Sequence, residues 1–218
     1  MSETIRDIHT HRPGTPGSIL SVRLGIGSIP DTGFYSLGLH PWDVSPGTLL
    51  LLDQLEEMCR DPRLVAIGEA GLDRLCPVPP ALQAEAFTRQ AAIADRCRKP
   101  LIIHNVRCTA ELVELRRQLR PTVPWIVHGF RGKPQLARQM TAHGFLLSFG
   151  ARFNPDTVRA LPIGTLLTET DESEATIGEV RDGIARAIGM ASDQLDAAID
   201  THTADVFALP ALPSTPQE

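Results

Sequence analysis

The chain is short of aromatic residues, of paired cysteines and of long apolar runs. Aromatic side chains make up 5% of its 218 residues, which argues against extended binding of a nucleic-acid strand through many stacked bases. The four cysteines form no CxxC pair, so we predict reduced thiols that bind no zinc and form no disulfides. No apolar run approaches the length that crosses a bilayer, and the N-terminus lacks the pattern of a signal peptide. We therefore expect a cytoplasmic protein that does not bind membranes.

The charge and length of the chain narrow its class further. A net charge of −5 argues against a protein that coats nucleic acid through a general positive field, because that affinity comes from many Lys and Arg contacts with phosphate. It leaves open an enzyme that acts on nucleic acid locally. The length suits one well-buried domain, which we place at residues 1–209, with a Pro-rich flexible tail at 210–218. We expect this domain to be a monomer.

Short apolar segments alternate with amphipathic helical patterns along the chain. This alternation predicts an α/β fold with a parallel sheet, and eight strand candidates favour a TIM-type (β/α)8 barrel. The segment between the first two candidates is too short for a crossover helix. We therefore expect a distorted barrel with a curtailed first βα unit, which opens either with a hairpin or with an irregular connection. The strand candidates are residues 5–8, 19–24, 35–39, 64–67, 101–103, 125–127, 145–149 and 166–168.

Residues of the types that bind metals follow these strand candidates one after another. The segment DIHTH places His9 and His11 two residues apart, so both imidazoles can point to the same side of a strand. Glycines around Glu69 suggest a tight turn that presents this carboxylate. A barrel gathers the residues that follow its strands at one face, although they span most of the sequence. The residues placed there are His9, His11, His40, Glu69, His104, His128 and Asp171.

These residues carry the chemistry of a two-metal site. Four imidazoles and two carboxylates are enough to hold two ions while open positions remain for water and substrate. The Glu69 carboxylate is the natural bridge, and hydrolysis by in-line displacement at phosphorus is the implied reaction. Imidazole-rich ligation suits Zn or Mn better than Mg, although the metal identity stays open. For any single histidine, a polar strand cap or a buried core position is an equal alternative, whereas the whole set favours a metal site.

Six segments of the chain resemble the TatD family of metal-dependent deoxyribonucleases, a branch of the amidohydrolase-type barrels. They are, in order, DIHTH, GLHPW, AIGEAGLD, KPLIIH, IVHGF and LLTETD. The resemblance implies two divalent metal ions, Zn, Mn or Mg, and DNA as the substrate. It implies that one ion is held by His9, His11, Glu69 and Asp171, and the other by Glu69, His104 and His128. By the same resemblance His40 contacts a substrate phosphate, while Glu69 and Asp171 are the catalytic residues, with Asp171 as general base.

Two segments depart from the family pattern and put the substrate preference in question. After His104 the chain has two residues before Arg107, where the common form has an arginine two residues on. After His128 it has Gly-Phe-Arg-Gly, where Cys-Phe-Ser-Gly or similar is usual. We expect Arg107 and Arg131 to bind substrate, within a locally positive mouth of basic residues that follow predicted strands. These residues are Arg74, Arg107, Arg131, Lys133 and Arg152; solvated loop charges are the alternative for each of them.

Three functions are consistent with the sequence. The leading one is a two-metal deoxyribonuclease that hydrolyses phosphodiester bonds at DNA ends or in single strands by a metal-activated water. The alternative enzyme is an amidohydrolase-type hydrolase of a small-molecule amide, ester or phosphoester with the same metal site. The third is a barrel that has lost turnover and serves as a scaffold, and the complete ligand set speaks against it. The polarity of degradation and the choice between DNA and RNA stay open.

Overall fold

The computed structural model describes residues 4–207 and contains eight parallel strands that follow one another in chain order. Each strand pairs with the next one along the chain. The strands are β1 (Asp7–Thr10), β2 (Ser18–Arg23), β3 (Phe34–Gly38), β4 (Leu64–Asp73), β5 (Leu101–Val106), β6 (Trp125–Val127), β7 (Phe145–Phe149) and β8 (Leu166–Thr168). This arrangement confirms the predicted TIM-type barrel. The predicted tail at 210–218 lies outside the described residues.

The helices flank the sheet and follow the predicted alternation. They are α1 (Leu52–Met58), α2 (Pro80–Cys97), α3 (Thr109–Leu119), α4 (Pro134–Ala142), α5 (Pro155–Arg159), α6 (Ile177–Ile188) and α7 (Ser192–Phe207), with 3-10 turns at Pro41–Asp43, Thr48–Leu51 and Ile163–Thr165. Helix α2 ends where Arg98 adopts a left-handed conformation, with φ at 53°. Within residues 4–207, no helix has the length and apolar character that a membrane span requires.

The connection from β1 to β2 contains no helix, as its length requires. The two strands are nevertheless parallel, so a hairpin is the wrong expectation and the irregular opening is the correct one. Gly14 and Gly17 have φ values of 74° and 67°, a left-handed conformation that glycine adopts at little cost. Tight turns at these two glycines return the chain to the start of β2. The curtailed first βα unit is therefore a real feature of the barrel.

Strand β4 continues without interruption through the glycines around Glu69, so the predicted tight turn is wrong. These glycines instead allow neighbouring strands to approach closely. A Cβ atom on Gly71 would lie 1.9 Å from the carbonyl oxygen of His104, and one on Gly38 would lie 2.6 Å from the Cα of Gly68. The close approach keeps Glu69 inside the barrel, where it is only 4% exposed.

The barrel closes between β1 and β8 through a small set of bonds, which we call the seam. The backbone N–H of His11 donates to the carbonyl of Asp171 at 3.2 Å, and the N–H of Asp171 donates to the carbonyl of His9 at 2.9 Å. The buried carboxylate of Asp7 accepts the backbone N–H of Thr170 at 3.0 Å and its hydroxyl at 2.7 Å. The seam therefore aligns the end of β1, which is followed by His11 and contains His9, with the segment after β8 that carries Asp171.

Two buried glutamines of α2 fix the ends of β3 and β4. The side-chain amide of each glutamine bonds, through both its oxygen and its nitrogen, to the backbone of one residue. Gln90 accepts the N–H of Leu39 at 2.7 Å and donates to its carbonyl at 3.1 Å. Gln83 likewise accepts the backbone N–H of Asp73 at 2.8 Å and donates to the backbone carbonyl of Asp73 at 3.1 Å. Fully paired buried amides hold their surroundings in one geometry. The residues next to these contacts, His40 and Asp73, therefore rest on a rigid frame.

Apolar packing fills the remainder of the barrel. Phe87 of α2 meets the ring of Trp125 edge to face, with centroids 5.1 Å apart. A second cluster joins Ile8, Ile19, Ile126 and Leu167 from four strands to Val206 of α7. Each large apolar side chain that is fully buried contributes about 1.5–3 kcal/mol relative to exposure. This packing stabilises the strands that carry polar residues at their ends.

Candidate metal centre

The seven side chains predicted at the strand ends converge at one end of the barrel. They form overlapping groups whose ligand atoms lie within 4.8 Å of one another. The groups are His9 with Glu69 and His128, His9 with His11 and Asp171, His40 with Glu69 and His104, and His128 with Glu169 and Asp171. Glu69 belongs to two of these groups and lies between them. The barrel thus brings together residues that are up to 162 positions apart in the sequence.

The Oε2 atom of Glu69 faces one set of ligand atoms, which we call the seam-side set: His9, His11 and Asp171. It lies 3.6 Å from Nε2 of His9 and 3.9 Å from Nε2 of His11. Oδ1 of Asp171 lies 3.8 Å and 3.6 Å from the same two nitrogens. Atoms that share one zinc ion at about 2.1 Å in a tetrahedral shell are about 3.4 Å apart. The seam-side set therefore has the spacing of an ion-binding shell.

The Oε1 atom of Glu69 faces a second set, which we call the inner set: His104 and His128. Nδ1 of His104 lies 2.8 Å from this oxygen and Nε2 of His128 lies 2.7 Å from it. These are hydrogen-bond distances, so both imidazoles contact the carboxylate directly. The two oxygens of one carboxylate thus face two sets of imidazoles, and these sets adjoin where the ring centroids of His9 and His128 lie 4.2 Å apart.

His40 lies beside the inner set with a different hydrogen-bond arrangement. Its Nδ1 accepts the backbone N–H of Trp42 at 3.2 Å, so the neutral ring carries its proton on Nε2. That Nε2 lies 3.5 Å from Oε1 of Glu69. A protonated ring nitrogen is a donor, which suits contact with a phosphate oxygen better than ligation of a metal.

The donor set fits a bound metal ion by an observation independent of spacing. His9 is fully buried, and neither of its ring nitrogens has a hydrogen-bond partner among residues 4–207. A buried polar atom without a partner costs free energy. A ligated cation would satisfy Nε2 of His9, which points toward the carboxylates of Glu69 and Asp171. Imidazole nitrogens combined with carboxylates are typical ligands of zinc and related transition ions.

The protonation states of these side chains agree with this assignment. Burial, reinforced by positive charge at His128, lowers the pKa of His9 to about 3, so His9 is neutral. Burial opposes ionisation of Glu69, but His128, His104 and His40 together hold its pKa well below the usual value. Burial likewise opposes a charge on His128, yet Glu69 and Glu169 raise the pKa of its ring well above the usual value. The carboxylates of Glu69 and Glu169 therefore favour a positive charge beside them at the candidate metal centre.

Two acidic residues that sequence reasoning left out of the site stand behind the inner set. Oδ2 of Asp73 lies 3.1 Å from Nε2 of His104, which leaves Nδ1 of that ring free to face Glu69. Oε1 of Glu169 accepts the N–H of Gly129 at 2.6 Å and lies 3.5 Å from Nδ1 of His128. Carboxylates commonly orient metal-ligating histidines in this way. Their sequence signal was their position in AIGEAGLD and LLTETD, the segments that also contain the predicted ligands Glu69 and Asp171.

The basic residues predicted at the mouth divide into three cases. Arg131 and Arg152 line a cleft of about 290 Å³ together with Asp171. Arg74 forms an ion pair with Glu111 and donates from Nε to the carbonyl of Arg107 at 3.0 Å. Arg107 and Lys133 are exposed and do not line this cleft. Because Glu172 and Glu174 also line the cleft, its charge is mixed instead of uniformly positive.

The sequence is similar to those of several known proteins. An uncharacterised metal-dependent hydrolase of Bacillus subtilis, YabD, is 34% identical over 147 residues, covering 63% of this chain and 58% of that protein. The 3'-5' ssDNA/RNA exonuclease TatD of Edwardsiella piscicida is 33% identical over 105 residues, covering 47% of this chain and 40% of that protein. The chain thus spans little more than half the length of the first of these relatives and less of the second.

A solved structure and a family description agree with these relatives. The Escherichia coli TatD homologue YjjV superposes with a TM-score of 0.78 at 23% identity, covering 94% of this chain and 98% of that one. At that identity the likeness concerns the fold. The family described as TatD related DNase matches residues 18–207, so the match spans most of the barrel and begins after the DIHTH segment. The chain belongs to the TatD-related DNase family.

Proposed function

We propose that this protein is a two-metal-dependent deoxyribonuclease that hydrolyses phosphodiester bonds at DNA ends or in single strands. The observation that carries the proposal is that the two carboxylate oxygens of Glu69 face two different sets of imidazoles. One carboxylate oxygen lies 3.6 Å from His9, and the other lies 2.7 Å from His128. A carboxylate that faces two ligand sets in this way is suited to bridge two ions.

Each type of side chain at the site has a distinct proposed role. The seam-side set and Glu69 hold one ion, and the inner set and Glu69 hold the other. When bound, two divalent ions would lower the pKa of a water molecule and stabilise the oxygens of the displacement at phosphorus. Asp171 accepts the proton of the attacking water, and burial, with Glu169 and Glu69 nearby, raises its pKa above the usual value. His40 donates from Nε2 to a phosphate oxygen.

The cleft beside Asp171 supplies contacts for the substrate backbone. Arg131 and Arg152 are both exposed there, so each guanidinium can pair with a phosphate at little desolvation cost. Phosphate contacts position a nucleic acid without reading its sequence. The acidic Glu172 and Glu174 in the same cleft limit the run of phosphates that it accommodates. These features support a short or frayed DNA end as substrate, and the exonuclease name of the Edwardsiella relative supports the same class.

The decisive experiment compares DNA with small substrates. Purified protein loaded with Zn, Mn or Mg is incubated with an end-labelled single-stranded oligonucleotide and, separately, with a panel of small amides, esters and phosphoesters. Asp171→Asn removes the proposed base while keeping its size, and Glu57→Gln on the exposed face of α1 is the matched control. We expect oligonucleotide cleavage that is lost in Asp171→Asn and retained in Glu57→Gln.

Other results would point to the alternatives. Hydrolysis of a small amide or ester without DNA cleavage, lost in Asp171→Asn, would replace the deoxyribonuclease with an amidohydrolase-type enzyme that uses the same residues. No hydrolysis with any ion or substrate would favour the scaffold. Equal losses in Asp171→Asn and Glu57→Gln would contradict the role given to Asp171.

A further inference from the structure

Trp42 is a large aromatic side chain that is exposed next to the candidate metal centre. It follows His40 in the 3-10 turn Pro41–Asp43, and 60% of its surface is accessible. Its ring centroid lies 5.7 Å from that of His40, with the two planes nearly perpendicular at 79°. The chain contains two tryptophans, and Trp125, by contrast, is fully buried. The roles proposed for the metal centre leave the exposed indole unexplained.

The indole of Trp42 is held in place although it is exposed. Its Nε1–H donates to Oδ2 of Asp73 at 2.7 Å, and the same oxygen lies 3.1 Å from Nε2 of His104. Asp73 is itself fixed by Gln83 of α2. A large side chain held in one orientation has already lost most of its rotamer entropy. Its accessible surface is therefore prepared for contact with a ligand at low additional entropic cost.

A second exposed apolar side chain is anchored on the same carboxylate. The backbone N–H of Leu75 donates to Oδ1 of Asp73 at 2.8 Å, and the Leu75 side chain is 64% exposed. The following residue, Cys76, lies with its Sγ 3.6 Å from the carbonyl of Pro41, which ties this loop to the Trp42 turn. Thus Asp73 links two exposed apolar groups to a proposed metal ligand. Apolar surface beside a catalytic centre is typical of a ligand-binding site.

We propose that Trp42 is a stacking platform for one nucleobase of the substrate, with Leu75 flanking the same base. This subsite rests on the proposed nuclease function and deepens it, because it gives the enzyme a contact with the base next to the scissile phosphodiester. Every nucleobase has a π-face, so stacking on one indole provides binding with little sequence preference. The low aromatic content of the chain agrees with contact to a single base instead of a run of bases.

Tryptophan fluorescence tests the contact without depending on catalysis. Metal-loaded protein is titrated with a hydrolysis-resistant phosphorothioate oligodeoxyadenylate and with a matched phosphorothioate oligomer of abasic residues. Because Trp125 is fully buried, we expect the bases to quench the emission of Trp42 and the abasic oligomer to have no such effect. The quenching should disappear in Trp42→Phe. Equal quenching by both oligomers, or none by either, would overturn the subsite.

Kinetics then distinguish stacking from a purely structural role of the indole N–H. Trp42→Ala should raise KM for the base-containing oligonucleotide by roughly 5- to 100-fold, the usual range for loss of a stacked base, with kcat little changed. Trp42→Phe keeps an aromatic face but loses the bond to Asp73, so it should recover most of this loss. On the abasic substrate the two variants should resemble the wild type. Leu50→Ala, a matched exposed apolar residue on Thr48–Leu51, should behave as the wild type throughout.

The outcomes separate this inference from the function on which it rests. Cleavage of DNA with a KM that Trp42→Ala leaves unchanged would overturn the subsite and keep the nuclease. Base-dependent quenching without cleavage would keep the subsite and overturn the nuclease. If Trp42→Phe is damaged as much as Trp42→Ala, on abasic and normal substrates alike, Trp42 serves only to hold Asp73 and the stacking role is wrong.

Discussion

The two ligand sets that share Glu69 differ in how they are held. In the inner set, His104 and His128 contact Glu69 at 2.8 Å and 2.7 Å. Asp73 lies at hydrogen-bond distance, 3.1 Å, from the other ring nitrogen of His104, whereas Glu169 lies 3.5 Å from that of His128 and forms no hydrogen bond with it. In the seam-side set, the Nε2 atoms of His9 and His11 lie 3.6–3.9 Å from the acidic oxygens, and neither ring nitrogen of His9 has a hydrogen-bond partner among residues 4–207. The inner set is oriented by side chains behind it, whereas backbone bonds across the seam orient the other.

If two ions bind as we propose, this difference predicts that they respond to different substitutions. Changes to Asp73 or Glu169 disturb the orientation of imidazoles and should weaken the inner ion. Changes to the seam shift the backbone that carries His9 and Asp171, and should weaken the seam-side ion. Glu69 faces both sets, with Oε2 toward one and Oε1 toward the other, so its loss should weaken both ions. The following variants test this comparison, from the largest expected effect to the smallest.

Glu69→Gln should have the largest effect because it removes the charge that both sets share. We expect DNA cleavage to fall by about 10³-fold or more, which corresponds to roughly 4 kcal/mol in the activation free energy. Bound metal should fall below one ion per chain by elemental analysis. Glu57→Gln, which changes the same residue type on α1, should retain the wild-type metal content. Two tightly bound ions in Glu69→Gln would contradict the bridging role.

Asp73→Asn should weaken the inner ion selectively. The carboxylate behind His104 sets which ring nitrogen carries the proton, and loss of such a partner usually costs about 10- to 100-fold in metal affinity or activity. Metal titrations followed by calorimetry should show one weakened site and one unchanged site. Asp53→Asn, on an exposed aspartate of α1, is the control. Equal weakening of both sites by Asp73→Asn would remove the proposed division of roles.

Thr170→Val should loosen the seam because it leaves Oδ2 of the buried Asp7 without its hydroxyl donor. A buried group that loses its partner costs about 1–3 kcal/mol of the free energy of unfolding, measured by denaturant titration. Thr203→Val is a matched control, since the Thr203 hydroxyl is buried without a partner within residues 4–207. The seam-side ion should also bind more weakly in Thr170→Val. A stability loss as large in Thr203→Val would show that the seam bond is not its cause.

Much of this arrangement was predictable because barrels place the residues after their strands at one face. The order of strands and the convergence of His9, Glu69 and Asp171 follow from that rule. The uninterrupted path of β4 was not predictable, because glycines favour turns locally and only contact between strands explains them here. Asp73 and Glu169 were missed as partners because a carboxylate next to a ligand looks the same in sequence whether it faces an imidazole or solvent. The ion pair of Arg74 with Glu111 depends on the loop after β4 meeting the first turn of α3.

Arg131→Glu should have the smallest effect of the series. Its guanidinium lines the cleft beside Asp171, so charge reversal should raise KM for an oligonucleotide several-fold and lower the slope of log K against log salt by about one. Metal content should stay unchanged, since Arg131 belongs to neither ligand set. Arg138→Glu on the exposed face of α4 provides a reversal of equal charge away from the cleft. If KM and the salt slope are unchanged in Arg131→Glu, Arg131 is a solvated loop residue that does not bind the substrate.

The central claim is that Glu69 joins two ion sites of different construction, and counting the ions tests it most directly. Elemental analysis of protein saturated with Zn and freed of excess metal gives the number of ions per chain for the wild type, Asp73→Asn and Thr170→Val. We predict two ions in the wild type and a partial loss in each variant, from the inner set in Asp73→Asn and from the seam-side set in Thr170→Val. A single ion in the wild type, with both variants affecting that same site, would contradict the account.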